Sequence, residues 1–317
     1  MSRILLTAIG SMAAAPAARR YQALGHTVFG CDIYPREWTA LAGELEFFQA
    51  RLATEGEPYV EQLKETVRRD RLDFLIPLTD PEVDALAPRK AEFRALGCTV
   101  CVPEERVAAL CRRKDKMNRF LAEKQVCRLI PTESAVSGQP CPFPFPAMVK
   151  PRSGRSSLGQ AVAADEKGYQ TALAGREDCI VQPFLEGDIF CVDVARDAFG
   201  HTRAAARQEL LRNKSGLGMT VEVLPGHPLE AVCAAIAEAV GLVGVVNMEF
   251  IRHGDDFFFL EVNPRFSGGI GFSMAAGMDF AEMMLCCHSC GSVEAFPAAP
   301  KHSLLARESA IVLTQLR

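Results

Sequence analysis

One stretch constrains this chain more than any other. Val245 to Gly269 holds two apolar runs with acids at matched positions, Asn247-Met248-Glu249-Phe250-Ile251 and Phe257-Phe258-Phe259-Leu260-Glu261-Val262-Asn263-Pro264-Arg265, joined by a polar turn. The alternation of a strand puts Asn247 and Glu249 on one face, and Phe259, Glu261 and Asn263 on one face of the return strand. A three-residue loop, Gly254 to Asp256, sets Glu249 opposite Glu261 and Asn247 opposite Asn263. Carboxylates facing each other destabilise a sheet by about 0.2–1 kcal/mol, and by more when desolvated, unless a cation lies between them. Two carboxylates and an amide, with no clustered thiolate or imidazole, favour magnesium or manganese held jointly with nucleotide phosphates. Arg265, just beyond, can fork onto a transferring phosphoryl group or a substrate carboxylate. Gly268, Gly269 and Gly271 allow backbone or substrate to approach closely. The plainer alternative, solvated acids on an edge hairpin, leaves the Pro264-Arg265-glycine turn without a purpose.

The remainder supplies a frame for that hairpin. Apolar runs at Arg3 to Ala8, Thr27 to Cys31 (closed by Asp32), Phe74 to Leu78 and Cys98 to Val102 alternate with helical stretches, which predicts a small doubly wound parallel sheet. Asp80 is a candidate helix cap, with Pro81 at the first helical position. Arg112-Arg113-Lys114-Asp115-Lys116 opens a helix with Met117, Phe120 and Leu121 as its apolar stripe. Prolines at 140, 142, 144 and 146 stiffen the entry to a strand, Ala147 to Lys150, and further strands are expected at Cys179 to Pro183, Ile189 to Ala195 and Thr202 to Gln208, before a helix from Leu229 to Val240.

Composition narrows the function. A formal charge of -4 gives no basic excess for a nucleic-acid backbone. No apolar stretch reaches the roughly 20 residues of a membrane helix, and Met1 to Ala18 is too broken for a signal peptide, so a cytoplasmic protein is expected. Twelve cysteines without a leader suit a reducing compartment. Cys98 and Cys101, and Cys287 and Cys290 beside His288, have metal or redox spacing, but both pairs lie in apolar surroundings that read as core.

A second site signal is Val149-Lys150-Pro151 followed by Arg152 to Gly159, a strand and a loop rich in small residues, hydroxyls and cations. Backbone N–H groups and hydroxyls of such a loop can surround phosphate oxygens, though a solvated surface hairpin has the same composition. It lacks GxxxxGK[ST], which excludes an ordinary P-loop. A dinucleotide site is also disfavoured, since Gly10-Ser11-Met12-Ala13-Ala14-Ala15 offers one of the three required glycines.

With these residues in hand, the chain resembles the ATP-grasp superfamily over nearly its whole length, in the branch related to the carbamoyl phosphate synthetase large subunit. Leu260 to Gly269 carries the sharpest match. The resemblance implies an ATP-grasp fold of mixed α/β and α+β class. Its parts would be a preATP-grasp Rossmann-like domain at 1–105, linker helices at 106–130, a small lid lobe at 131–187, and a large lobe with the metal site at 188–317. It further implies that Glu249, Glu261 and Asn263 hold magnesium (or manganese) against ATP and that Arg265 steadies the transition state. Lys116, Lys150, Ser156, Ser157 and Gly159 would face the nucleotide, as would Arg207 and Lys214. Gln182, Phe184, Leu185 and Glu186 resemble the adenine hinge. Ile189 stands where many relatives place a ribose-binding glutamate; Glu186 or Asp188 could substitute, or the position could be unfilled.

The activity so implied is an ADP-forming carboxylate-amine ligase working through an acyl phosphate on small-molecule carboxylate and amine substrates, amino acids among them, with no nucleic-acid or membrane partner. Apolar surface on the first lobe would support a homodimer. Two alternatives stay open: phosphorylation of bicarbonate, and an ATP-binding subunit without turnover.

Overall fold

The computed structural model describes residues 1–154 and 158–314. Its first sheet has five parallel strands, β1 (Arg3–Leu6), β2 (Thr27–Asp32), β3 (Glu46–Gln49), β4 (Phe74–Ile76) and β5 (Thr99–Val100), in the order β3-β2-β1-β4-β5. Parallel strands need both faces covered. On one face lies α1 (Ala14–Ala23), whose Ala14, Ala17, Ala18 and Tyr21 bury against Ile4 and Leu6. The other face meets α2 (Glu57–Asp70), α3 (Asp80–Leu86) and α4 (Lys90–Ala95) through Leu63, Val67, Val83 and Phe93. The edge strand β3 and the amphipathic α2 fill a region that strand patterning alone leaves unassigned, because β3 is only four residues long and exposes both its ends.

The start of α3 differs from the expected cap. Thr79 is the N-cap, its backbone N–H and hydroxyl both reaching Glu82 (3.0 and 2.7 Å), and Pro81 falls one position further in. Asp80 is thereby left to face elsewhere.

Two helices, α5 (Glu105–Arg112) and α6 (Lys114–Lys124), lead through β6 (Arg128–Leu129) to a four-stranded antiparallel sheet. That sheet orders β7 (Glu133–Ala135), β10 (Cys179–Pro183), β8 (Ala147–Pro151) and β9 (Ala161–Ala163), with α7 (Glu166–Leu173) on one face. A seven-stranded sheet follows, with β11 (Asp188–Arg196), β12 (Thr202–Arg212), β13 (Gly218–Val223), β14 (Gly244–His253), β15 (Asp256–Asn263) and β16 (Ser303–Ala306) in the order β16-β13-β12-β11-β14-β15-β6. One of its faces packs on α5, α6 and α8 (Pro228–Val240) through Val192, Met248, Phe250, Phe259 and Ile236. Ala195, Ala205 and Val245 on the opposite face join α10 (Phe280–His288) and α1 in a core continuous with the first sheet, beside α9 (Ile270–Ala275). The rest of that opposite face lines a cleft.

No helix among the described residues is long and apolar enough to cross a membrane. Burial holds the Cys98 and Cys287 thiols up at about 12, and Cys101 well above its usual range, while Cys290 is exposed rather than packed.

Candidate active site

A cleft of about 930 Å³ opens where the three sheets meet, and the β14–β15 hairpin forms its floor. Asn247 pairs with Asn263 and Glu249 with Glu261, as the alternation suggests. The route differs. The turn has two residues, Gly254 and Asp255, between His253 and Asp256, and a bulge after Glu249 absorbs Leu260. These two departures cancel at the acids. They also turn Phe259 to the opposite face, where its ring meets Phe250 at 5.7 Å, while Leu260 joins Glu261 in the cleft wall.

The two carboxyls are electrostatically unequal. Burial and the adjacent Glu261 push Glu249 up to about 7, against the weaker pull of Arg212 and Arg265. Burial also works upward on Glu261, yet Lys114, Lys150 and the Asn263 amide bring it below the ordinary glutamate range. Asn263 Nδ2 lies 3.4 Å from Glu249 Oε1 and 3.3 Å from Glu261 Oε1. Lys114 Nζ lies 3.0 Å from Glu261 Oε2, and Arg212 Nη2 is 3.7 Å from Glu249 Oε2. The clustered acids thus draw in Lys114 and Arg212. Their oxygen-only donor set and Glu249's unrelieved charge conflict fit a hard divalent cation.

Lys114 corrects the expectation for Lys116. The buried face of α6 is Lys114, Met117, Asn118 and Leu121. Lys116 is two residues round from Lys114, about 200° of helix, and is exposed. Lys150 does stand in the cleft, 5% exposed, its amine brought down to about 8 by burial and by Lys114. Arg265 lines the same wall, donating from Nη2 to Asp80 Oδ2 (3.0 Å) and Asn263 Oδ1 (3.3 Å), and from Nη1 to the Phe266 carbonyl (3.0 Å).

Gln182, Phe184 and Leu185 line the far end of the cleft with Met148, Ile130 and Ile251, an apolar slot edged by one amide that donates to Thr132 Oγ1 at 2.6 Å. Glu186 is exposed and outside the lining, offering its carbonyl to His253 Nδ1 (2.8 Å), and Asp188 is paired with Arg252. Neither acid therefore replaces Ile189, which does line the slot. Gly187 is dictated by contact, since a Cβ there would come within 1.7 Å of the Arg252 carbonyl.

Arg207 reaches the cleft wall but is 1% exposed and committed to its surroundings. It donates to Asp193 Oδ2 (2.5 Å), Glu209 Oε1 (3.2 Å), Ser267 Oγ and Ser273 Oγ (each 3.2 Å). Against the effect of burial, Asp193 and Glu209 raise its pKa and keep it charged. It braces the turn after Arg265 more than it offers itself to a ligand. Asp193, fully buried among apolar strand residues, gives no polar signal in the sequence for this role. Lys214 is exposed and not part of the lining, which takes Ser215 to Gly218 from that loop instead. Gly159 is exposed, with φ +74°, and Gln160 is the neighbour that reaches the cleft. Ser156 and Ser157 lie outside the described residues.

Residues 175–309 match the family model described as "ATP-grasp in the biosynthetic pathway with Ter operon". A formate-dependent phosphoribosylglycinamide formyltransferase from Synechococcus sp. (strain CC9605) is 27% identical over 275 residues, covering 77% of this chain and 64% of the relative. The chain therefore spans slightly less than two thirds of that protein's length. Biotin carboxylase from Campylobacter jejuni, solved as a β-γ-ATP complex, superposes with a TM-score of 0.75 at 16% identity, over 96% of this chain and 74% of the other. N5-carboxyaminoimidazole synthetase from Staphylococcus aureus gives 0.71 at 14% identity, over 96% and 80%. The family model lies on the segment that carries the Glu249–Glu261 hairpin, and the solved structures share the fold over nearly the whole chain.

Proposed function

We propose that the protein is an ATP- and magnesium-dependent ligase that phosphorylates a carboxylate and couples the resulting acyl phosphate to an amine, releasing ADP and phosphate. The observation that carries this reading is the opposition of Glu249 and Glu261, with Asn263 between them, on the floor of a cleft that also holds Lys150 and Arg265, while Lys114 pairs with Glu261 at 3.0 Å. Glu249, Glu261 and Asn263 would hold the metal, which when bound neutralises triphosphate charge and lets a loose transition state form. Gln182, Phe184 and Leu185, with Met148 and Ile251, suit an adenine ring. Lys150, poorly solvated and beside Lys114, gains most from an anionic phosphate. Arg265, braced by Asp80 and Asn263, is aimed where charge develops and where a carboxylate would lie. Segment 131–187, closing as a lid on 188–317, would keep water from the acyl phosphate.

The test is ADP release from magnesium ATP over carboxylates crossed with amines. Formate belongs among the carboxylates because the curated relative is formate-dependent, and bicarbonate is a separate arm. Release that requires one carboxylate and one amine together, and that disappears in Glu261→Gln, supports the ligase. No pair-dependent release in any arm, with ATP still bound, would leave a nucleotide-binding protein without turnover.

A further inference from the structure

The cleft floor is ordered along its strands. Ile189 of β11 and Ile251 of β14 are directly paired at the slot. Two residues on, about 6.8 Å along the strands, the next cleft-facing pair is Cys191 and Glu249, with Glu261 beside Glu249. Leu260, bulged between the Glu249–Glu261 and Phe250–Phe259 pairs, adds a third apolar side chain to the wall at this point. A nucleotide with its base against Met148, Phe184 and Leu185, and its phosphates at Glu249 and Glu261, therefore lays its sugar across Ile189, Ile251 and Leu260.

None of these three side chains can pair with a sugar hydroxyl. The polar groups around them are committed elsewhere. Glu186 is exposed and outside the lining, and Asp188 pairs with Arg252. Glu209 flanks Ile189 on β12, one step beyond the Phe190–Gln208 pair, but its Oε1 accepts from Arg207 Nε at 3.2 Å. Its Oε2 is covered by Gly218, where a Cβ would come within 1.9 Å of that oxygen. Arg212 is turned to Glu249 at 3.7 Å, and Gln182 pairs with Met148 in the lid sheet, at the base. A site that grips a hydroxyl leaves its own buried polar groups unpaired when the hydroxyl is missing, and so rejects the deoxy compound strongly. An apolar wall has nothing to leave unpaired, and if anything favours the compound without the hydroxyl.

Resting on the ATP-dependent reading, we propose that the nucleotide site does not select for ribose and that Ile189 sets this tolerance. Adenine 2′-deoxy- and 2′,3′-dideoxynucleotides are taken as readily as the ribonucleotide, because base and phosphates carry the affinity and the sugar hydroxyls stay with water.

The protein is titrated calorimetrically, with magnesium present, with ADP, 2′-deoxyADP and 2′,3′-dideoxyADP. Both deoxy compounds are expected to bind within about threefold of ADP, or more tightly. A larger loss of affinity with either one overturns the proposal, and this comparison needs no variant. Ile189→Glu, at a partly exposed position, introduces an acceptor and should make ADP bind about tenfold more tightly than 2′,3′-dideoxyADP. Ile189→Gln brings a carbonyl oxygen without added charge near Glu249 and should move the ratio the same way. A ratio unmoved in both, with melting temperatures and ADP binding retained, places the sugar elsewhere and overturns the role of Ile189. Failure of all three nucleotides to bind the unmodified protein overturns the ATP-dependent reading instead.

Discussion

At the scale of single residues, the site is a contest between like charges. Glu249 bears the strain, being buried beside Glu261 with Arg212 at 3.7 Å, while Lys114 pairs with Glu261 at 3.0 Å. In the metal-free protein Glu249 therefore holds a proton up to about pH 7. Because that proton must leave before a metal binds, apparent manganese affinity should fall by about tenfold per pH unit below 7 and level off above about 8. A titration monitored by water-proton relaxation measures this, and an affinity flat from pH 5.5 to 8.5 would refute it. Lys114 and Lys116 separate cleanly: Lys114→Met should lower ADP formation by tenfold or more, whereas Lys116→Met should stay within twofold. The sequence points at the right helix and the wrong lysine, because the helix start decides which of two cations two residues apart faces inward, and neither the cap Arg113 nor the composition marks that boundary.

At the scale of elements, the hairpin shows how a correct pairing can conceal an unexpected backbone. A shorter turn and the bulge at Leu260 together give the Glu249–Glu261 register that a longer turn would give alone. Alternation fixes the outcome at the acids, but a bulge has no composition of its own to announce it. The β10–β11 corner is more rigidly specified. Gly187→Ala would force the Arg252 carbonyl aside and should destabilise the protein by about 2 kcal/mol or more, read as a lowered melting temperature by calorimetry. In α3, Thr79→Ala removes one half of the reciprocal cap with Glu82 and should cost about 1 kcal/mol, while also loosening Asp80 behind Arg265. An equally stable variant with unchanged turnover would show that the cap has no bearing on the site.

Across the whole molecule, the legible parts are those where pattern and packing agree. The parallel sheet is announced by short apolar runs between helices, and Cys179 to Pro183 appears at its expected bounds. The weak signals belong to the edge strands β3 and β16 and to the buried Asp193–Arg207 network, where a partner far along the chain gives each residue its surroundings. Lys214 shows the reverse: a basic loop residue that the family resemblance draws toward the site and geometry leaves outside. Since the cleft joins all three sheets, a ligand bound there should stabilise the whole chain. Magnesium ATP at a hundredfold excess over its dissociation constant should add about 2.7 kcal/mol, rising with the logarithm of its concentration.

The most direct measurement is manganese binding followed by electron paramagnetic resonance, with a non-hydrolysable ATP analogue present, in the unmodified protein and in Glu249→Gln and Glu261→Gln. If the opposed acids form a metal–nucleotide site, free manganese signal is lost on adding the unmodified protein and retained with either variant. Equal loss of signal with all three proteins would place the metal elsewhere and contradict the account.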